Sequence, residues 1–193
     1  MPPKFSYAQV NKGNVLRIGA PPSYMCRGNL VQNGGFEAGL LYWTASNVRI
    51  VGGKEPHEGR YAAGLGARRY NQRASWLQQD IPIPTGNPRQ FYEIIFHVAG
   101  YKDAPAALRL TASWLTDEKQ PHGIAAQARI QRRAIGNGSR GKWTTYNIVT
   151  LEAPSDAAYL RLHFTKMRGL KSYNFVILDD VVVIRVPAVC DQY

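Results

Sequence analysis

Cysteine is almost absent from this chain: Cys26 and Cys190 are its two thiols in 193 residues. There is no Cys-x-x-Cys pair and no His/Cys spacing suited to zinc, which excludes a zinc ribbon and a multi-disulfide scaffold. The four histidines, His57, His97, His122 and His163, are scattered and fall in no metal or triad motif. No apolar run approaches the roughly 20 residues that cross a bilayer as a helix. Helix-period segments of any length are missing too. The opening Met1-Pro2-Pro3-Lys4-Phe5 has no apolar h-region, so these residues do not read as a secretory signal. Acidic side chains are scarce, 13 against 24 Lys and Arg. Catalysis needs a nucleophile with a base, a carboxylate pair, or a metal with an open position. The one adjacent acidic pair is Asp179-Asp180, and neighbours on a strand point to opposite faces. The two are expected not to act jointly, and no enzyme is expected.

What remains is apolar and turn-rich. Hydrophobic residues make up 45%, with 18 Gly and 12 Pro, which suits a β-rich globule and not a disordered chain. The length fits one domain with extensions. The formal net charge of +11 is carried mainly by arginine, at Arg68, Arg69 and Arg73, then at Arg129, Arg132, Arg133 and Arg140 beside Lys142. Such a surface attracts anionic polymers: nucleic acid, acidic glycans, teichoic-type phosphates or an acidic protein neighbour. Solubility and salt bridges between subunits are the plainer explanation. No motif of a nucleic-acid-binding fold accompanies the charge, so a nucleic-acid partner is not expected.

Residues 1–27 differ from the rest. They hold Pro2, Pro3, Pro21 and Pro22 and one short alternating stretch at 14–18, which reads as an extended arm with a single strand. Such an arm can add a strand to a neighbour's sheet edge, with Val15, Leu16 and Ile18 making the contacts. A disordered tail is the alternative. From residue 29 onward, short β-type runs alternate with turn signals such as Gly52-Gly53 and Asn137-Gly138. Tyr92, Ile94, Phe96 and Val98 share one face, opposite Glu93 and His97. Leu108, Leu110, Ala112 and Trp114 do the same against Arg109, Thr111 and Ser113, as do Leu160, Leu162 and Phe164 against Tyr159, Arg161 and His163. Period two with one apolar face predicts antiparallel sheets packed as a sandwich. Residues 174–186 are apolar almost throughout and read as a central strand covered on both sides. Residues 117–142 are the least regular part, with a strand around 124–131.

Six segments occur in a telling order. Residues 29–43 read NLVQNGGFEAGLLYW; Trp76-Leu77-Gln78-Gln79-Asp80-Ile81 follows; Pro84-Thr85-Gly86 precedes the strand at 91–98. Gly141-Lys142-Trp143 opens another run, Ala153-Pro154 comes before Ala158-Tyr159-Leu160-Arg161-Leu162, and Ile177-Leu178-Asp179-Asp180-Val181 closes the domain. Together they resemble jelly-roll, galactose-binding-like carbohydrate-binding modules of the family four, nine and twenty-two type. They look most like the N-terminal modules of collagen-like surface proteins of spore-forming bacteria. The resemblance covers 28–187 and leaves 188–193 as a tail.

The resemblance implies an all-β jelly roll with an extended N-terminal arm, and it places 29–43 as the opening strand and turn. First and last strands commonly run side by side in that fold, which would bring Cys26 and Cys190 together. A disulfide closing so long a loop would stabilise by about 3–5 kcal/mol. A staple between subunits and two unpaired thiols stay open as alternatives. Related modules often hold a structural calcium ion, here matched by Glu37 and Asp179 or Asp180. The plainer role for Glu37 and Asp180 is to satisfy turn amides or pair with a local arginine. Sugar binding would use exposed rings. Trp43, Trp114 and Trp143 fall at framework positions expected in the core. That leaves Trp76, Tyr70, Tyr101, Tyr159 and Tyr173 as platforms, with Gln78, Arg161 and His163 as polar neighbours. Packing or interface roles are the bland reading of the same rings. Asn137-Gly138-Ser139 matches the N-glycosylation acceptor pattern.

Two functional readings follow. The first is a non-catalytic structural subunit of an extracellular or spore-surface assembly, self-associating through its arm and stapled by Cys26 or Cys190. The alternative is a carbohydrate-binding module for a cell-surface or anionic polysaccharide. Viral or phage surface proteins form a third class, because jelly rolls host binding, packing and capsid roles alike.

Overall fold

Apolar residues at every second position give strands one oily face, and such faces are buried only by stacking sheets. The computed structural model describes residues 28–53, 55–66, 75–86, 90–100, 106–137, 141–167 and 176–186, with the backbone of 16–18. The strands are β1 (Leu16–Ile18), β2 (Thr44–Ser46), β3 (Val48–Gly52), β4 (Tyr61–Leu65), β5 (Ser75–Pro82) and β6 (Phe91–Gly100). They continue with β7 (Leu108–Leu115), β8 (Pro121–Ile130), β9 (Gly136–Asn137), β10 (Thr144–Val149), β11 (Tyr159–Lys166) and β12 (Val176–Val186). A single 3-10 turn, Arg132–Ala134, is the one helical element among the described residues.

The strands form two sheets, one in the order β1-β10-β6-β12-β4-β3 with β9 beside β6, the other β2-β5-β11-β7-β8. All pairings are antiparallel except the two-residue contact of β9 with β6. This is the antiparallel sandwich that the alternation predicted, in the jelly-roll form that the resemblance implied. The arm's one described strand, β1, pairs with β10 of its own chain, Leu16 opposite Ile148 and Ile18 opposite Tyr146. Val15, Cys26, Cys190, Tyr70, Tyr101, Tyr173, Arg68, Arg69, Arg73 and Arg140 lie outside the described residues, as do the side chains of Leu16 and Ile18.

The three alternating runs bury the faces expected of them: Tyr92, Ile94, Phe96 and Val98 from β6 meet Leu108, Leu110, Ala112 and Trp114 from β7 and Leu160, Leu162 and Phe164 from β11. Phe96 is the hinge of this core, stacked on Tyr146 at 5.7 Å and edge-on to Phe164 of the opposite sheet at 5.2 Å. Trp43 and Trp114 are buried as predicted. Trp143 is not. It shares the parity of Thr145 and Asn147, opposite to the buried Tyr146 and Ile148, and so turns to the outer side of its sheet. There it packs on a second, smaller apolar cluster of Val51, Ala62, Ala99 and Ile177.

Two further expectations are corrected. Residues 29–43 are a chain of turns and contain no strand. Asn29 ties the turns to β12: its side chain accepts from the Val31 and Val183 amides and donates to the Val181 carbonyl, beside the backbone bonds of Leu30 with Val183 and Gly34 with Val181. Gly34 lies so close to β12 that a Cβ there would meet the Val181 carbonyl oxygen at 2.0 Å. The second correction concerns Asp179 and Asp180. β12 buries Val176 and Leu178, then Val181 and Val183, so the inward parity switches between them. One extra residue, with Asp180 at φ 45°, makes a bulge that leaves both carboxylates outside the core on one side.

Phe96→Ala should remove the central contact between the sheets and lower stability by about 3–5 kcal/mol. Urea unfolding is expected to show the loss as a lower midpoint with an unchanged slope.

Candidate functional site

Polar residues at the alternate positions of the five-stranded sheet face outward and share one surface. Register sets their neighbours. Trp76 is opposite Thr165, which is opposite Arg109, which is opposite Arg129. The next row runs Thr44, Gln78, His163, Thr111 and Gln127, and the next Asp80, Arg161 and Ser113. Tyr159 closes the β11 series, opposite Pro82 and Leu115. The five sequence-predicted ligand residues, Trp76, Gln78, Tyr159, Arg161 and His163, therefore all stand on one face.

Their interactions differ. Trp76 and His163 meet edge to face at 5.6 Å and 87°. Arg161 grips Asp80 with both ends of its fork, Nε to Oδ1 at 2.7 Å and Nη2 to Oδ2 at 2.9 Å, and this pairing raises its pKa further. Burial, then the neighbouring Arg161 charge, holds His163 below its ordinary value. Tyr159 is not a bare platform, since the Lys119 ammonium lies 5.1 Å from its ring centroid. Arg109 and Arg129 are exposed, directly opposite one another, and without an acidic partner among the described residues. Facing like charges repel, and an anion between them would relieve it. The parity of 108–114 places Arg109 outward from sequence. Its meeting with Arg129 needed the register of β7 on β8, which two irregularities shift.

The other predicted group is split. Glu37 Oε1 accepts from the Arg60 and Tyr61 amides at 2.8 and 3.0 Å, the plainer of its two expected roles. Asp179 is fully buried, with Oδ2 accepting from the His57 amide and Oδ1 from that of Asp180, both at 2.9 Å. Burial, reinforced by the Asp180 charge, pushes its carboxyl up to about 7. Asp180 Oδ2 lies 2.7 Å from His57 Nδ1. The His57 ring stacks on His97 at 3.9 Å and 19°, with Trp143 edge-on at 5.4 Å. Burial and the adjacent His57 push His97 below its usual range. So the fold joins Asp180 to His57 and His97, not to Glu37. Two imidazoles and a carboxylate differ from the oxygen cage that calcium takes. Neither histidine carried a sequence signal, because they stand 40 residues apart on separate strands and loops.

No protein-family model and no curated protein sequence matches the chain. Solved structures do share the fold. A family 61 carbohydrate-binding module, TmCBM61, solved with β-1,4-galactotriose, superposes with a TM-score of 0.57 at 18% identity, over 82% of this chain and 99% of that one. The CBM22-1 xylan-binding domain from Paenibacillus barcinonensis Xyn10C gives 0.53 at 16%, over 84% and 97%. The enzymatically active domain of tailspike protein 4 from bacteriophage CBA120 gives 0.64 at 15%, over 82% of this chain, which spans only 21% of that protein. Cyclases from Fischerella sp. TAU are among the others. At these identities the likeness establishes the carbohydrate-binding-module-like jelly roll and no more.

The depressed His163 gives a pH signature. The unfolded chain takes up this proton near 6.5, the folded one only further down. Its stabilising share is thus fully present above pH 6.5 and lost as pH falls through the window below. Thermal melts from about pH 7 to about pH 5 should fall more steeply for the wild type than for His163→Gln.

Proposed function

We propose that this protein is a non-catalytic carbohydrate-binding module that holds a polysaccharide across the outward face of its five-stranded sheet. One observation carries the reading: Trp76, Gln78, His163, Thr111 and Gln127 share that face in adjacent rows, with Arg109 and Arg129 at its β8 end. The row from Trp76 to Arg129 crosses three strand intervals, about 14 Å at the usual spacing. A sugar ring has an apolar side suited to the Trp76 indole, and its hydroxyls suit amide, hydroxyl and neutral imidazole partners. The two guanidiniums, without an acidic partner among the described residues, select an acidic chain bearing uronate, sulfate or phosphate. Asp80 has already claimed Arg161, which acts as a rigid element of the floor. A module of this kind works at an extracellular or cell surface. The fold shared with TmCBM61 and the xylan-binding domain supports the reading.

The assembly reading loses its main argument. The arm strand that was to complete a neighbour's sheet is paired with β10 of its own chain, which covers that edge. Donation of this strand to a neighbour would require it to leave its own sheet.

Affinity electrophoresis in gels holding neutral galactan, xylan, or an acidic polysaccharide such as polygalacturonate tests the proposal. The acidic gel should retard the protein, less so with added salt. Trp76→Ala should weaken retention by about 2- to 10-fold, the scale of one aromatic contact. Arg109→Ala with Arg129→Ala should abolish the preference for the acidic chain. Equal mobility in all gels would overturn the reading.

A further inference from the structure

We propose that His57, His97 and Asp180 form a binding site for a divalent first-row transition-metal ion of the zinc class. The site lies on the outer side of the sheet containing β6 and β12, the reverse of the sandwich from the polysaccharide face, and does not depend on that function.

Three segments converge on it: the loop between β3 and β4 brings His57, β6 brings His97, and the β12 bulge brings Asp180. One ligand atom from each lies within 4.8 Å of the other two. Zinc at about 2.0–2.1 Å from tetrahedral ligands wants them roughly 3.4 Å apart, so small side-chain rotations would close the set. His57 and His97 now stack face to face, and one ring must turn to aim its lone pair at a shared ion. The present arrangement also leaves something unmet. His97 Nδ1 is buried without a hydrogen-bond partner, although buried polar atoms are nearly always paired. A metal ion ligated through Nδ1 would satisfy it.

Several features aim these groups at one another. Asp180 sits at φ 45°, a left-handed backbone uncommon outside glycine, and this turns its carboxylate to the His57 ring. Asp179 holds the His57 amide from below, and Trp143 closes one side of the ring. The three ligands are each partly exposed, so an ion could enter and keep a water. Two imidazole nitrogens with one carboxylate is a donor set for zinc, copper or nickel, whereas calcium takes six to eight oxygens. Bound metal would pin the β3–β4 loop to β12, adding to the hydrogen bonds from Asp179, Asp180 and Glu37 and the ring contacts of His57 that now hold it.

The test is calorimetric titration of metal-stripped full-length protein with zinc chloride alone, and with calcium chloride for comparison. Zinc is expected to bind once per chain and raise the melting temperature, with no heat from calcium at these residues. His97→Ala and His57→Ala should each weaken zinc binding by at least about tenfold, the loss that even outer-shell partners cause. His122→Ala, which removes the exposed partner of Asp156, should leave it unchanged. Copper(II) should quench Trp143 fluorescence through the same site, and Trp143→Phe should remove that quenching while zinc still binds. Undiminished zinc binding in both His97→Ala and His57→Ala, no saturable zinc binding in the wild type, or calcium in place of zinc would each overturn the proposal.

Discussion

One extra residue in β12 is the constraint on which the rest of the molecule hangs. This strand pairs with β6 on both sides of the insertion and with β4 only over Val176–Leu178, so the bulge falls where the β4 ladder has ended and the N-terminal turns take over. The chain keeps Val181 and Val183 inward by accepting a bulge and a left-handed Asp180. Both carboxylates are thereby pushed to the outer side. The buried one, Asp179, is satisfied by backbone amides, which brings down the β3–β4 loop and with it His57. The N-terminal turns lock the bulge from the other side through Asn29 and Gly34.

The two outer faces have different characters for one structural reason. The face of the sheet holding β6 and β12 is roofed by the β3–β4 loop and Trp143, which bury a small apolar cluster. It has become a secondary core with a few polar groups trapped at its margin. The five-stranded sheet carries adjacent rows of hydroxyl, amide, imidazole and guanidinium groups. This open polar face, with one indole and two arginines that have no acidic partner among the described residues, is the surface on which the proposed glycan binding rests. The same fold occurs in carbohydrate-binding modules, in part of a tailspike protein and in cyclases, so the fold by itself assigns no function.

Much was determined by the sequence alone. Period-two alternation in 91–98, 108–114 and 159–164 set which side chains go inward, because a strand has only two faces and water penalises the wrong one. From that parity Arg161 and His163 were already legible as outward residues, whereas Trp76 and Gln78 were candidates left once the other tryptophans had been assigned to the core. Tertiary structure decided what parity cannot carry. Trp143 left the core because it lies one residue before its strand, on the outward phase. Asp179 and Asp180 came to one side because a bulge hides in an apolar run, where every phase looks alike. Glu37 went to the amides of Arg60 and Tyr61, while His57 and His97 met only when a loop folded onto a sheet. Short-range patterns record the local choice of face; contacts between distant segments depend on register and loop path, which no local pattern encodes.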